Sequence, residues 1–247
     1  FFMLDNRYFR TPNDRTTGER FVLGATQETW LIDALKSSQA TFKFVAIGGQ
    51  FISTAAEYEN HAIFAEERNR IIQKIRDEKI EGVIFLSGDR HHTELSLLQE
   101  SSAVYPLYDL TVSPLTAGVH SARKEPNMTY VDETMVNERN FGEIEISGPA
   151  KNRKLDVYLG GIDVLKESNK QFDVITLSHV IEHVYDPIET LKICYKLLKP
   201  GGVIWLETPN IFSYGFKVYE KNRHHPQRRH RPHGHQPAPR PLHPRHP

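Results

Sequence analysis

One cysteine in 247 residues, Cys194, excludes an intrachain disulfide. That fits a reducing compartment without requiring one, because many exported chains also lack disulfides. No apolar run is long enough to cross a bilayer. Phe1-Phe-Met-Leu4 lacks the basic start, long apolar core and cleavage site of a signal peptide, so nothing fixes a compartment. A starting Met is missing as well, and Phe1–Leu4 reads as an interior strand of a chain entered partway. Hydrophobic residues make up only 38%, low for a globular protein, so part of the chain is expected not to pack. Net charge is also absent, but only as a sum. Seven of the 31 basic residues lie from Lys221 onward, facing no acid, which leaves 24 against 31 acids and a body near −7.

What is present alternates strand and helix. Phe1–Leu4, Phe42–Ile47, Val83–Leu86, Tyr108–Val112 and Gly142–Ile146 read as strands. Gln27–Ser37 reads as a helix with Trp30, Leu31, Ala34 and Leu35 at helical spacing and Thr26 as its cap. Glu66–Glu78 is amphipathic, with Ile71, Ile72 and Ile75 on one face. The unbroken apolar run Val83–Leu86 suits a strand covered on both faces. This order predicts an α/β layered domain over residues 1–155. A second unit spans residues 156–222: strand Phe172–Leu177, helix Pro187–Leu198 stopped by Lys199-Pro-Gly-Gly202, and strand Val203–Glu207. Strand, crossover helix and strand make one βαβ step of a parallel sheet. Residues 223–247 alternate His, Pro and Arg and cannot build a core, so a disordered tail is expected there.

Two segments carry chemistry. In the first, a strand runs into Gly88-Asp-Arg-His-His-Thr-Glu94. Asp89 and His91, two residues apart on a loop, can converge on one cation, and Gly88 lets the backbone turn as it leaves the sheet. Carboxylate oxygen with imidazole nitrogen suits iron, zinc, manganese or calcium. A pair of such ions serves phosphate ester hydrolysis by lowering the pKa of water and neutralising phosphoryl oxygens. The spacing by itself equally fits a solvated polar loop. The second is Phe172-Asp-Val-Ile-Thr-Leu-Ser-His-Val-Ile-Glu-His183, whose carboxyl end is where doubly wound sheets place ligands. His179 and His183 there are otherwise ordinary loop and helix-start residues.

Phe1-Phe-Met-Leu-Asp-Asn-Arg-Tyr-Phe-Arg10, Leu23-Gly-x-x-Gln-x-x-Trp-Leu31, Ala40-Thr-Phe-Lys-Phe44, Gly88-Asp-Arg-His-His-Thr-Glu-Leu95 and Leu110-Thr-Val-Ser-Pro-Leu115 occur in this order. Together they resemble the C-terminal half of the alkaline phosphatase D family of calcineurin-like metallophosphatases. The resemblance implies a partial, layered metallophosphatase-like sandwich and a dinuclear iron/calcium-type site acting on phosphate esters. By it, Asp89 and His91 are late metal ligands, His92 contacts substrate, and Arg7 orders the loop. The family takes its bridging carboxylate from segments upstream of its counterpart of Phe1, so the shell is expected to be incomplete.

Phe172–His183, Asp186-Pro187, Leu198-Lys-Pro-Gly-Gly202 and Glu207-Thr-Pro-Asn210 resemble the middle of class I S-adenosylmethionine-dependent methyltransferases. This implies a partial Rossmann-like βαβ unit, with Ser178 and His179 beside the cofactor and Asp163 toward its adenine edge. The family's Gly-rich loop has no counterpart before residue 156. In the tail, seven of the 13 histidines lie from His224 onward. They could support adventitious metal binding or salt-sensitive sticking to nucleic acid, but the abrupt end of the methyltransferase resemblance at Lys221-Asn222 favours an out-of-frame text, so no specific nucleic-acid partner is expected. Three readings follow: a metal-dependent phosphoric ester hydrolase, incomplete in this chain; a methyltransferase fragment; and a non-catalytic chimera.

Overall fold

A computed structural model of the chain describes residues 1–99, 105–115, 117–120, 124–160, 170–178, 180–184 and 186–208. It is an α/β structure. The first part holds β1 (Phe2–Met3), α1 (Gly24–Ser37), β2 (Lys43–Ala46), α2 (Ala65–Asp77), β3 (Val83–Ser87), β4 (Glu94–Leu98) and β5 (Leu107–Thr111). These strands form one sheet in the order β1-β2-β3-β5-β4. All neighbours run parallel except β4, which pairs antiparallel with β5 in the register Glu94↔Thr111 to Leu98↔Leu107. β4 begins at Glu94, the last residue of the Gly88–Glu94 segment, where no strand was expected.

The core lies between this sheet and the two helices. Leu31 and Leu35 of α1 and Ile71, Ile72 and Ile75 of α2 join Val45, Val83 and Phe85 in one buried cluster. Phe51 stacks on Phe85 with ring centroids 4.2 Å apart. The expected face of α1 is displaced: Leu31, Ile32, Leu35 and Glu28 are buried, whereas Trp30 is 48% exposed. Glu28 turns inward because Arg70 and Lys74 of α2 meet its carboxylate at 2.7 Å and 2.8 Å. Thr26 does not cap α1, which begins at Gly24. The amides left without intrahelical partners are taken instead by Glu67 of α2, which accepts from the N–H groups of Val22, Leu23 and Gly24 at 2.7, 3.1 and 2.9 Å.

β6 (Phe141–Ser147) and β7 (Lys154–Gly160) form a separate antiparallel pair, from Phe141↔Gly160 to Ser147↔Lys154. Gly148, at φ +81°, opens the turn between them, and a Cβ there would meet the Asn152 carbonyl oxygen. Gly142–Ile146 therefore pairs forward along the chain, with β7. The expected boundary between residues 155 and 156 falls inside β7.

β8 (Phe172–Ser178), α3 (Pro187–Leu197) and β9 (Leu198–Glu207) form the βαβ step, with β8 and β9 parallel. Asp186 caps α3 by accepting from the Glu189 N–H at 2.9 Å, and Pro187 sits in the first turn. α3 ends at Leu197, just before Lys199-Pro-Gly-Gly202 as expected, and those residues fall within β9. β9 already pairs at Phe172↔Leu198, and the register resumes at Val174↔Val203, so these residues are looped out as a bulge. Among the described residues no helix is long and apolar enough to cross a membrane.

Candidate phosphate-site edge

The parallel strands β1, β2, β3 and β5 end on one edge, and their following loops meet there. After β1, Asp5 folds back on its own chain, accepting from the N–H groups of Arg7 and Tyr8 at 2.7 Å and 2.9 Å. That turn presents Arg7, which pairs with Glu59 and reaches Asp89 Oδ2 at 3.2 Å. Arg7 thus ties two loops together. After β2, Gly48 and Gly49 keep the backbone bare, and the Gly88 N–H donates to the Gly48 carbonyl at 3.1 Å.

After β3 the backbone takes an unusual path. Asp89 (φ +63°) and His91 (φ +57°) are both in the left-handed region, which L side chains rarely adopt. Such a conformation costs on the order of 1–3 kcal/mol per residue and persists only where neighbours hold it. Here the holders are the Ser113 hydroxyl, which accepts from the His91 N–H at 3.1 Å, and the His120 N–H, which donates to the His91 carbonyl at 2.8 Å. Arg90, between the two, is buried against Glu125 and lies over the Tyr58 ring at 4.9 Å. Asp89 and His91 are half-buried.

His92 is placed inward. It is 0% exposed, its Nδ1–H donates to the Arg90 carbonyl at 2.9 Å, and its Nε2 lies 3.5 Å from Glu94 Oε2 without a hydrogen bond. Its surroundings are a buried polar network absent from the sequence reading. Glu94 Oε1 accepts from Gln50 Nε2 at 2.6 Å and Asn127 Nδ2 at 3.0 Å, and Gln50 also donates to Thr111. Ser87 donates to Asp109 Oδ1 at 2.6 Å, while Asp109 Oδ2 accepts from the Phe51 and Ile52 N–H groups. Arg68 takes the carbonyls of the same two residues. The chain after Gly48-Gly49 is thereby pinned from both sides. Burial pushes the Asp109 carboxyl above its ordinary range, against the pull of its hydrogen bonds. The one clue in the sequence was the polar pair Asp109 and Thr111 in an otherwise apolar strand.

Asp89 oxygen and His91 nitrogen are the donor kinds that fit iron, calcium, manganese or zinc. Among the described residues, however, no group of three or more His, Cys, Asp or Glu side chains converges on a metal position. Two donors fit one side of a shell, and no catalytic step through a metal follows from them.

The profile of the PhoD-like phosphatases matches residues 1–152, which carry this whole edge. The chain belongs to the PhoD-like phosphatase family. A solved structure described as that of PhoD aligns with a TM-score of 0.44 and 20% identity, covering 63% of this chain and 38% of that one. Residues 138–204 match a methyltransferase domain. A ubiquinone biosynthesis O-methyltransferase of Parvibaculum lavamentivorans is 30% identical over 129 residues, 51% of this chain and 50% of that protein. The enzyme of the same description from Caulobacter vibrioides is 51% identical over 47 residues, 19% of each. The chain thus spans half the length of these curated relatives or less. The two family matches overlap at residues 138–152, which hold β6 and its turn.

In the methyltransferase-like part, Ser178 ends β8 and pairs in register with Glu207, the last residue of β9. Its side chain, His179, Asp163 and residues 223–247 lie outside the described residues. Glu207 itself is a residue the sequence reading did not single out. It is 9% exposed and reaches the PhoD-like edge. Asn6, with its amide turned to satisfy both sides, donates through Nδ2 to Glu207 Oε1 and accepts from the Gly49 N–H at 3.1 Å. No spacing rule could find this contact, because 201 positions separate the partners.

Proposed function

We propose that the PhoD-like part is a metal-dependent phosphoric ester hydrolase unit of the alkaline phosphatase or phosphodiesterase type. In this reading Asp89 and His91 hold a cation at the strand ends, phosphate esters are the substrate class, and His92 holds the loop rather than the ligand. The observation that carries it is the left-handed backbone at both Asp89 and His91. Strain of that kind concentrates where side chains must be aimed. Family membership supplies the reaction class. A second reading, an S-adenosylmethionine-dependent methyltransferase fragment with Ser178, His179 and Asp163 at the cofactor, draws support from the match at residues 138–204.

Calorimetry with manganese, zinc, calcium and iron(II) tests the first reading. Weak cation binding is expected, lost in Asp89→Ala and in His91→Ala, with hydrolysis of a generic phosphate diester near background because two donors are an incomplete shell. Cation binding untouched by both substitutions would remove the reading. Robust turnover abolished by Asp89→Ala would show a complete shell instead.

A further inference from the structure

The Glu207 carboxylate lies against the loops that follow β1 and β2 of the PhoD-like part. Gly48 has no side chain, and the space its Cβ would occupy is filled by Glu207: Oε1 and Oε2 lie 2.5 Å and 2.6 Å from that position. Asn6 is 3% exposed, so its amide is a built, enclosed donor rather than a surface group. Gly49 holds that amide from behind, which fixes which end faces the carboxylate. Gly48 is in turn tied to Gly88, the residue before Asp89. Bare glycine backbone and an enclosed amide donor therefore flank the carboxylate at the carboxyl ends of β1 and β2, one hydrogen bond from the turn that carries Asp89.

We propose that Glu207 is an internal stand-in for the anionic ester: its carboxylate occupies the oxyanion seat of Asn6 and Gly48 and keeps the chain in a self-occluded state. The inference rests on the hydrolase reading for what the seat is for, and on the Glu207 contacts for what fills it. A carboxylate and a phosphoryl group both present negatively charged oxygen acceptors. They compete for the same donor, and like charge prevents both from being present together. The end of β9 is a suitable plug. It follows a bulged strand in a two-stranded sheet, with Val203 and Leu206 exposed, so little apolar burial holds it down. Binding of an outside anion must first displace it, and apparent affinity falls by the fraction of molecules that are open.

The test uses the full chain with manganese present and inorganic phosphate as the probe, titrated calorimetrically into wild type, Glu207→Ala and Glu207→Gln. If fewer than one molecule in ten is open, Glu207→Ala gains about tenfold or more in phosphate affinity. Glu207→Gln, which keeps the shape but not the charge, gains less and carries the comparison if the alanine variant does not fold. Unchanged phosphate affinity in both folded variants overturns the plug. Loss of manganese binding in Glu207→Ala also overturns it, because Glu207 would then be a ligand. Asp89→Ala separates the two ideas. Manganese binding lost there, with no gain from Glu207→Ala, leaves the hydrolase reading standing and the plug refuted. A phosphate gain from Glu207→Ala with manganese indifferent to Asp89 leaves the plug standing and the hydrolase reading refuted.

Discussion

The two parts of this chain are both strand–helix–strand text, yet they are packed very differently. The PhoD-like part puts a five-stranded sheet under two helices and fully buries Phe51, Phe64, Phe85, Leu31, Leu35, Ile71 and Ile75. In the methyltransferase-like part, the described buried hydrophobic residues are Leu177 and Cys194, while Ile188, Tyr195 and Val203 are 67%, 76% and 47% exposed. Local signals are good in both: α3 has its Asp186 cap and Pro187, and β8 is rich in apolar, β-branched residues. The difference teaches that a correct local sequence makes an element, but only neighbouring layers on both faces make a core. A parallel pair of strands with one helix leaves a sheet face and edges uncovered.

The sharpest way to break that comparison is to truncate one strand hydrophobic residue to alanine in each part. Phe85→Ala removes a fully buried ring stacked on Phe51 and should cost about 3–5 kcal/mol, unfolding the PhoD-like part at much lower denaturant. Leu206→Ala, at a residue 37% exposed, should change stability by less than about 1 kcal/mol. Equal losses in urea titrations would mean that the second part has a core of its own.

A smaller contrast lies in how the helices begin. Glu67→Ala strips the acceptor from three backbone N–H groups at the start of α1 and from His61, all of them enclosed. It should cost about 2–4 kcal/mol. Asp186→Ala removes a local cap of α3 and should cost about 1 kcal/mol. If thermal melts show the second variant as damaging as the first, long-range capping is not what distinguishes the parts.

The smallest expected effect is on pH dependence. Burial lowers the His61 pKa below its ordinary 6.5, against the raising effect of Glu67, and its Nε2–H donates to Glu67 at 2.9 Å. Burial would raise Glu67, but the hydrogen bonds and charge of His61 and the N–H groups of Val22 and Gly24 outweigh it and hold its pKa below 4.5. A depressed folded pKa contributes stability that is full above the unfolded value and lost on acidification. Melting temperature of the PhoD-like part should therefore be flat above about pH 7, begin to fall below 6.5, and fall faster below 4.5. Asp109, raised by burial, acts in the opposite sense: its contribution is full below 3.8 and lost as pH rises through its folded value. A His61→Gln variant should flatten the first step, and an unchanged profile in that variant would rule out His61 as its source.

By itself the sequence determined most of the elements and their type. The apolar run at Val83 is β3, the isoleucine stripe is α2, and Asp186-Pro187 opens α3, because each depends on residues within a few positions of one another. It also located the turn that carries Asp89 and His91, since Gly88 and the strand before it are local marks. What only the tertiary structure decided involves partners far apart: Glu67 capping α1 across 43 to 45 positions, His92 facing inward to Glu94, and β6 pairing with β7 rather than with the first sheet. The placement of Glu207 against Asn6 belongs with these. Hydrogen-bond acceptors and apolar faces are satisfied by whatever the folded chain brings within 3 Å or so, and nothing in the spacing of residues along the chain specifies which group that will be.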